Sequence, residues 1–355
     1  METMQLLPIR TNVNLISQHQ QAKEPVIIDI TSTPDSRPFQ EYDNPTGKSN
    51  VPHFIEANTK EVSFSHLRNE CVVPVFSKDN EVTISHPNFI ETVWNTARSF
   101  FPTETILEPD IRVSHVIKGR IPEAIHKPVN QLSDTDKTIY YERMAFCFEI
   151  PSISENINGS RLNLSIGGVR AYNHENLYSK KGTEKFKIFI GFKNLVCCNL
   201  CISTDGYQSE IKVMSTTDLS KAVLELFQLY NPARHLHLMS SLKDSFLTEH
   251  QFAQLIGKTK LYQCLATNQK KLLPSMEFGD SQINAVAKSF YQDSNFSMEQ
   301  GAAAISLWNV YNLFTGANKS SYIDSILDRS LNATELVDGI NSALHGDSAY
   351  RWFIE

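Results

Sequence analysis

Between Ile139 and Met214 the chain alternates apolar and polar side chains, most regularly at Arg161-Leu-Asn-Leu-Ser-Ile166 and from Lys185 to Lys193. A period of two sends successive side chains to opposite faces of a sheet. The runs are broken at Asn158-Gly159, Lys181-Gly182, Lys193-Asn194 and Asp205-Gly206. Such pairs supply the positive φ angles of tight hairpins, so the stretch predicts an antiparallel meander. Upstream, Cys71–Phe76 and Glu81–Ser85 read as a small hairpin, with Pro74 confining its first strand to an edge. Ser85 is placed to cap a helix whose face carries Phe89, Val93, Ala97 and Phe100. Ile111–Lys118 alternates as a strand, and His115 within it reads as a satisfied core histidine. Past Met214 the period becomes helical. Thr217–Tyr230 has one apolar side and stops at Asn231-Pro232. Further helices are expected over 233–245, 248–263, 280–292, 303–315 and 332–344, with Thr248 and Asp280 as caps. Strands followed by helices predict an α+β fold, an antiparallel meander with a helical C-terminal half.

The first 50 or so residues are polar apart from Pro25–Ile30 and read as a mobile tail. No Pro/Gly/Ser-rich linker follows, so residues 51–355 are expected to form one body, strand-rich over 51–214 and helix-rich over 215–355. With 41% hydrophobic and 20% charged residues, the composition is that of an ordinary globular protein. The start lacks a basic, apolar leader, and no apolar run reaches the ~20 residues of a membrane span. A cytoplasmic protein without membrane contact is expected.

The formal charge of −6 argues against binding nucleic acid over the whole surface. Residues 161–214 depart from this balance, with eight Lys and Arg against four Asp and Glu. The crowded Cys197, Cys198 and Cys201 do not suggest a disulfide framework. Cys198 and Cys201 lack a second ligand pair and would point to opposite faces of a strand, so neither a structural metal nor a cofactor is expected. His235 and His237, two apart at a helix start, do not share a face and read as residues solvating a helix end. Gly167-Gly168 suggests a strand bulge. Nucleophile-elbow, phosphate-loop and metalloprotease motifs are missing, which makes an enzyme the weaker class.

The polar face of the meander carries the best candidate chemistry. Arg161, Asn163 and Ser165 share one side, as do Lys185, Lys187 and Phe189. Tyr141 and Arg143 extend the face, while Arg170, Tyr172, Lys180 and Lys181 stand at its loop edge. Cations among aromatics suit single-stranded nucleic acid, with phosphates on the cations and bases on the rings. The same pattern suits an ordinary solvated sheet face. A second candidate is the stripe of Trp308, Asn312 and Thr315, spaced four and three on one helix, which either binds a ligand or ties helix to helix.

Several stretches resemble an uncharacterised family of bacterial proteins of unknown function. They include Ile111–Arg120, Tyr140–Phe146, Asn176–Lys181, Leu247–Gly257, Leu307–Thr315 and Asn318–Asp324. The resemblance covers about residues 51–345. Members of that family occur in anaerobic gut-type bacteria, often near mobile elements. The Cys198-Asn-Leu strand and the Trp308, Asn312, Thr315 helix are also similar to a broader group of phage/plasmid-like proteins, over a shorter span. The resemblance implies a mobile-DNA setting and assigns no functional residue. Two readings follow: a non-catalytic single-stranded nucleic-acid binder, or an interaction or assembly protein using its helical half on a protein partner or a second copy of itself.

Overall fold

The computed structural model describes residues 53–71, 83–124, 126–172, 182–293, 304–346 and 348–355. The polar N-terminal stretch, most of the hairpin expected over 71–85, and Lys180 and Lys181 lie outside them. In chain order, β1 (Lys60–Glu61), α1 (Phe64–Asn69) and α2 (His86–Phe100) lead into β2 (Asp110–Arg120), β3 (Lys137–Ile157) and β4 (Ser160–Ala171). Next come β5 (Glu184–Asn194), β6 (Leu200–Cys201), β7 (Tyr207–Val213), α3 (Thr216–Leu229) and α4 (Pro232–Ser241). The chain continues through β8 (Phe246–Thr248), α5 (Glu249–Cys264), α6 (Thr267–Lys270), α7 (Asp280–Gln292), β9 (Ala304–Ser306), α8 (Leu307–Asn318) and α9 (Ile326–His345). The fold is α+β. Among the described residues one antiparallel sheet runs β1-β2-β3-β4-β5-β6, β7 also pairs with β5, and β8 pairs with β9.

Local chemistry sets the element ends. The β3–β4 hairpin turns on Asn158 and Gly159, at φ 51° and 81°, as an Asn-Gly turn requires. Side chains of Ser85, Ser215, Asn231, Thr248 and Ser306 cap α2, α3, α4, α5 and α8 by accepting from backbone N–H groups. Asp280 is not a cap; Gly279 holds that position and Asp280 enters the first turn. β9 occupies the place expected for a helix start at 303, and Ser306 begins the helix only afterwards.

One face of the sheet packs Phe146, Phe148, Ile166, Ile188, Ile190 and Phe192 into the main core with α2 and α3. Phe89 meets Phe146 edge-on at 5.2 Å, and Trp94 meets Phe148 at 5.3 Å, a preferred aromatic geometry. Gly167 and Gly168 form no bulge, since the β3–β4 register runs unbroken through them. Their bare Cα atoms instead admit aromatic rings. A Cβ at Gly168 would stand 2.6 Å from the Phe89 ring, and one at Gly167 2.7 Å from Phe189.

The opposite face is covered as well. Ala145, Cys147, Val169, Phe189 and Tyr207 pack with Phe54, Ile55, Ile323, Ile326 and Leu327. The alternation therefore does not mark a solvated side: Ser165 is 0% exposed and Asn163 is buried. Ser165 donates to the Asn163 carbonyl (3.1 Å) and Asn163 Nδ2 donates to Glu149 (2.8 Å), which also takes Lys193 (2.8 Å), while Asn163 Oδ1 has no partner among the described residues. Polarity at period two reports a strand, and hydrogen bonds let the polar side go inward. His115 departs in the other direction. It is exposed, takes φ 52° and drops out of the β2–β3 register, with its ring 3.8 Å from Glu142, so it is not a core histidine.

Candidate functional site

The structure scatters the residues expected on a nucleic-acid face. Tyr141 is buried, with its hydroxyl 2.9 Å from His66 Nε2. Phe189 lies in the second apolar cluster under α9. Neither ring can stack on a base. Arg170 is 0% exposed, pairs with Glu184, and sits 4.5 Å from the Tyr172 ring and 4.6 Å from that of Phe186. Lys187 donates to Asp328 Oδ2 (2.5 Å) and to the Asp324 carbonyl (2.7 Å). Arg143 is mostly buried near the Asp324 carboxylate (3.7 Å). Lys185 is exposed and pairs with Glu210 (3.3 Å), and Arg161 is exposed beside Ser154 (3.4 Å). Apart from Arg161, these cations thus meet acids supplied by the chain itself, two of them at the start of α9, Asp324 just before it and Asp328 in its first turn.

The Trp308, Asn312, Thr315 stripe joins elements. Asn199, just before β6, donates to Thr315 Oγ1 (3.0 Å) and to the Asn312 carbonyl (3.4 Å). Asn312 donates back to the Trp308 carbonyl (2.9 Å), and Trp308 and Thr315 are buried. Cys201 lies buried on β6, whereas Cys197 and Cys198 form a turn in which Cys198 takes φ 55°. Burial pushes all three thiols up, Cys201 to about 12, which leaves them protonated and poorly nucleophilic.

A different group of residues builds a concave site. The Asn231-Pro232 stop ends α3 and starts α4, with Asn231 Oδ1 accepting from the Arg234 N–H (3.0 Å). The Asn231 N–H donates to Asp205 Oδ2 (3.0 Å), and Ser203 Oγ donates to Asp205 Oδ1 (2.6 Å). These bonds hold the turn after β6 against the head of α4. Gly206 in that turn lets the Tyr230 ring approach, since a Cβ there would lie 3.0 Å from it. On the other side, Thr334, Glu335, Asp338 and Asn341 share a face of α9. Thr334 Oγ1 anchors the helix by donating to the Ile202 carbonyl (2.6 Å). Between these elements lies a cleft of about 350 Å³, lined by Asp205, Arg234, His235, Ser241, Glu335 and Asp338 among others.

His235 is its most unusual member. It is 1% exposed, although its neighbour at the same helix start, His237, is exposed as expected. Its Nδ1 is 2.9 Å from the Tyr230 hydroxyl. Burial holds the imidazole down at about 4 and pushes the Tyr230 phenol well above its ordinary value, so both are neutral at pH 7. The phenol proton needs an acceptor and Nδ1 is the one in reach, which puts the ring proton on Nε2. Nε2 has no hydrogen-bond partner among the described residues. Leaving such a buried donor unmet costs about 1–3 kcal/mol. Burial also raises the Glu335 and Asp338 carboxyls; Asn332 opposes the shift at Glu335, and Arg234 at Asp338. Three of the lining hydroxyls are engaged elsewhere: Ser203 with Asp205, Ser241 with the Leu238 carbonyl and Thr334 with that of Ile202.

Sequence reasoning missed this site because its residues come from three distant stretches, each unremarkable alone. The one local signal is Tyr230-Asn-Pro-Ala-Arg-His235, in which the Asn-Pro step folds the histidine back onto the tyrosine.

Residues 42–354 match the family model described as "Domain of unknown function, B. Theta Gene description (DUF3871)". No curated protein and no solved structure matches the chain.

Proposed function

The chain belongs to the DUF3871 family, and from that premise we propose that it is a binding protein whose cleft between the β6 turn, α4 and α9 takes a small polar ligand. The observation that carries this reading is His235: a buried, neutral imidazole lining the cleft with an Nε2 donor that the protein does not satisfy. The cleft's 350 Å³ falls at the small end of ligand pockets, which span about 300–1,000 Å³. Nucleophilic catalysis has less support, because no cleft hydroxyl bonds to His235 among the described residues. A polar-fragment screen read by protein NMR tests the proposal. Binders should move the His235 ring signals, and Ser241→Phe, which fills the cleft from its rim, should abolish their binding while leaving the fold intact. Binders that leave His235 unmoved, or that bind the filled variant equally, would place the site elsewhere.

Single-stranded nucleic acid, with its mobile-element setting, is the reading with less support. It keeps Arg161 and Lys185 as exposed cations but has lost Tyr141 and Phe189 to burial. We predict no binding of labelled oligonucleotides at micromolar protein in low salt. Salt-sensitive binding that Lys185→Glu weakens would restore this reading. An assembly role for the helical half draws on the exposed Leu261, Leu272 and Tyr291; concentration-dependent sedimentation would support it.

A further inference from the structure

The charge lining the cleft says more about its occupant, and this step rests on the reading that the cleft binds a ligand. Three carboxylates, Asp205, Glu335 and Asp338, face it against one guanidinium, Arg234. We infer that the ligand is a small organic cation, a primary amine bearing a nearby oxygen acceptor, whose ammonium is held by Glu335 and Asp338 and whose oxygen meets Nε2 of His235.

Several independent features converge on this chemistry. Glu335 and Asp338 are three apart on α9, so their carboxylates stand one above the other on its cleft face. Neither forms an ion pair among the described residues, and Arg234 reaches Asp338 only through space. Asp205 accepts from two neutral donors, the Ser203 hydroxyl and the Asn231 N–H, so its charge is solvated but not cancelled. The partly buried Glu335 carboxyl has lost water without gaining a cation, as its raised affinity for protons shows, and at Asp338 the nearby Arg234 only partly offsets the same effect. An ammonium there supplies the missing countercharge and up to three N–H donors. His235 contributes what an ammonium cannot use, a donor, and therefore calls for an oxygen on the same molecule. Arg234, exposed at the mouth, disfavours a second positive group and suits the oxygen-bearing end. Among the described residues no three His, Cys, Asp or Glu side chains stand close enough to share a metal ion, which makes the cation organic.

The test uses the full chain and three probes of matched size: glucosamine as cation, glucose as neutral isostere and glucuronate as anion. Each is titrated while the His235 imidazole is followed by NMR. Glucosamine should bind about tenfold or more tightly than glucose, with glucuronate weakest. The near-isosteric Glu335→Gln/Asp338→Asn pair should bring glucosamine down to the level of glucose. Should the double variant not fold, the exposed Asp338→Asn alone should show a smaller loss of the same preference. Equal binding of glucosamine and glucose, or a preference that survives the amide variants, overturns the cation assignment and leaves the cleft as a neutral-ligand site. If neither glucosamine nor the open-chain amines agmatine and spermidine move His235 at about 10 mM, the inference also falls. The cleft reading then stands only if neutral fragments from the screen shift that ring and Ser241→Phe blocks them.

Discussion

At the scale of single residues, His235 shows where the sequence stops being readable. Spacing correctly says that His235 and His237 do not share a face. It cannot say which of them faces inward, because that depends on how α4 lies against the β6 turn. The consequence is measurable. His235 is held at about 4 by burial, and His86 at about 3 by burial with Arg170 adding to it. A depressed histidine means that the unfolded chain takes up protons first as pH falls. The stability these two groups contribute is therefore whole above about pH 6.5 and lost towards pH 4. Moving one group from 6.5 to about 4 corresponds to roughly 2–3 kcal/mol by pH 4.5. Urea unfolding of the wild type should lose about that much more between pH 7 and 4.5 than the His235→Gln variant does. Equal losses in the two proteins would show that His235 is not buried neutral.

Elements were legible wherever a local pattern decides them. The caps at Ser85 and Thr248, the Asn158-Gly159 turn and the Asn231-Pro232 stop are written in adjacent residues. α9 begins at Ile326, six residues before the expected 332, because Ser330, Asn332 and Thr334 are buried polar residues that interrupt its apolar period. Each bonds within the fold, Ser330 with the Ile326 carbonyl (2.9 Å) and Asn332 with that of Ser275 (2.9 Å). The sheet face was misread for a related reason: Lys187 belongs to a tie between β5 and α9, not to solvent. Asp328 accepts from Lys187 (2.5 Å) through one oxygen and from the Tyr207 hydroxyl (2.7 Å) through the other. Lys187→Glu puts a third carboxylate beside Asp324 and Asp328 and should destabilise by about 2 kcal/mol or more. Lys185→Glu, at an exposed position, should cost about 0.5 kcal/mol or less. Thermal melts of the two single variants check this, and equal, negligible shifts would return Lys187 to the solvated surface.

For the whole molecule, we propose that the strand-rich and helix-rich halves form one cooperative body. Its support is the set of bonds that cross between them: Asn199 to Thr315, Thr334 to Ile202 and Lys187 to Asp328. The cleft needs both halves, since Asp205 comes from one and Glu335 and Asp338 from the other. Limited proteolysis should remove residues before about Val51 and leave no separable halves cut near residue 215. Early release of two stable fragments there would divide the molecule and with it the cleft.

Two-bond proton–nitrogen NMR of the His235 imidazole, with and without the strongest binder of the polar-fragment screen, tests the central claim most directly. The structure predicts a neutral ring at pH 7 with its proton on Nε2 and Nδ1 accepting from Tyr230. Ligand should then shift the Nε2 signal in proportion to occupancy. A ring that titrates near the ordinary value of about 6.5, or an Nε2 signal unmoved at saturation, would contradict it.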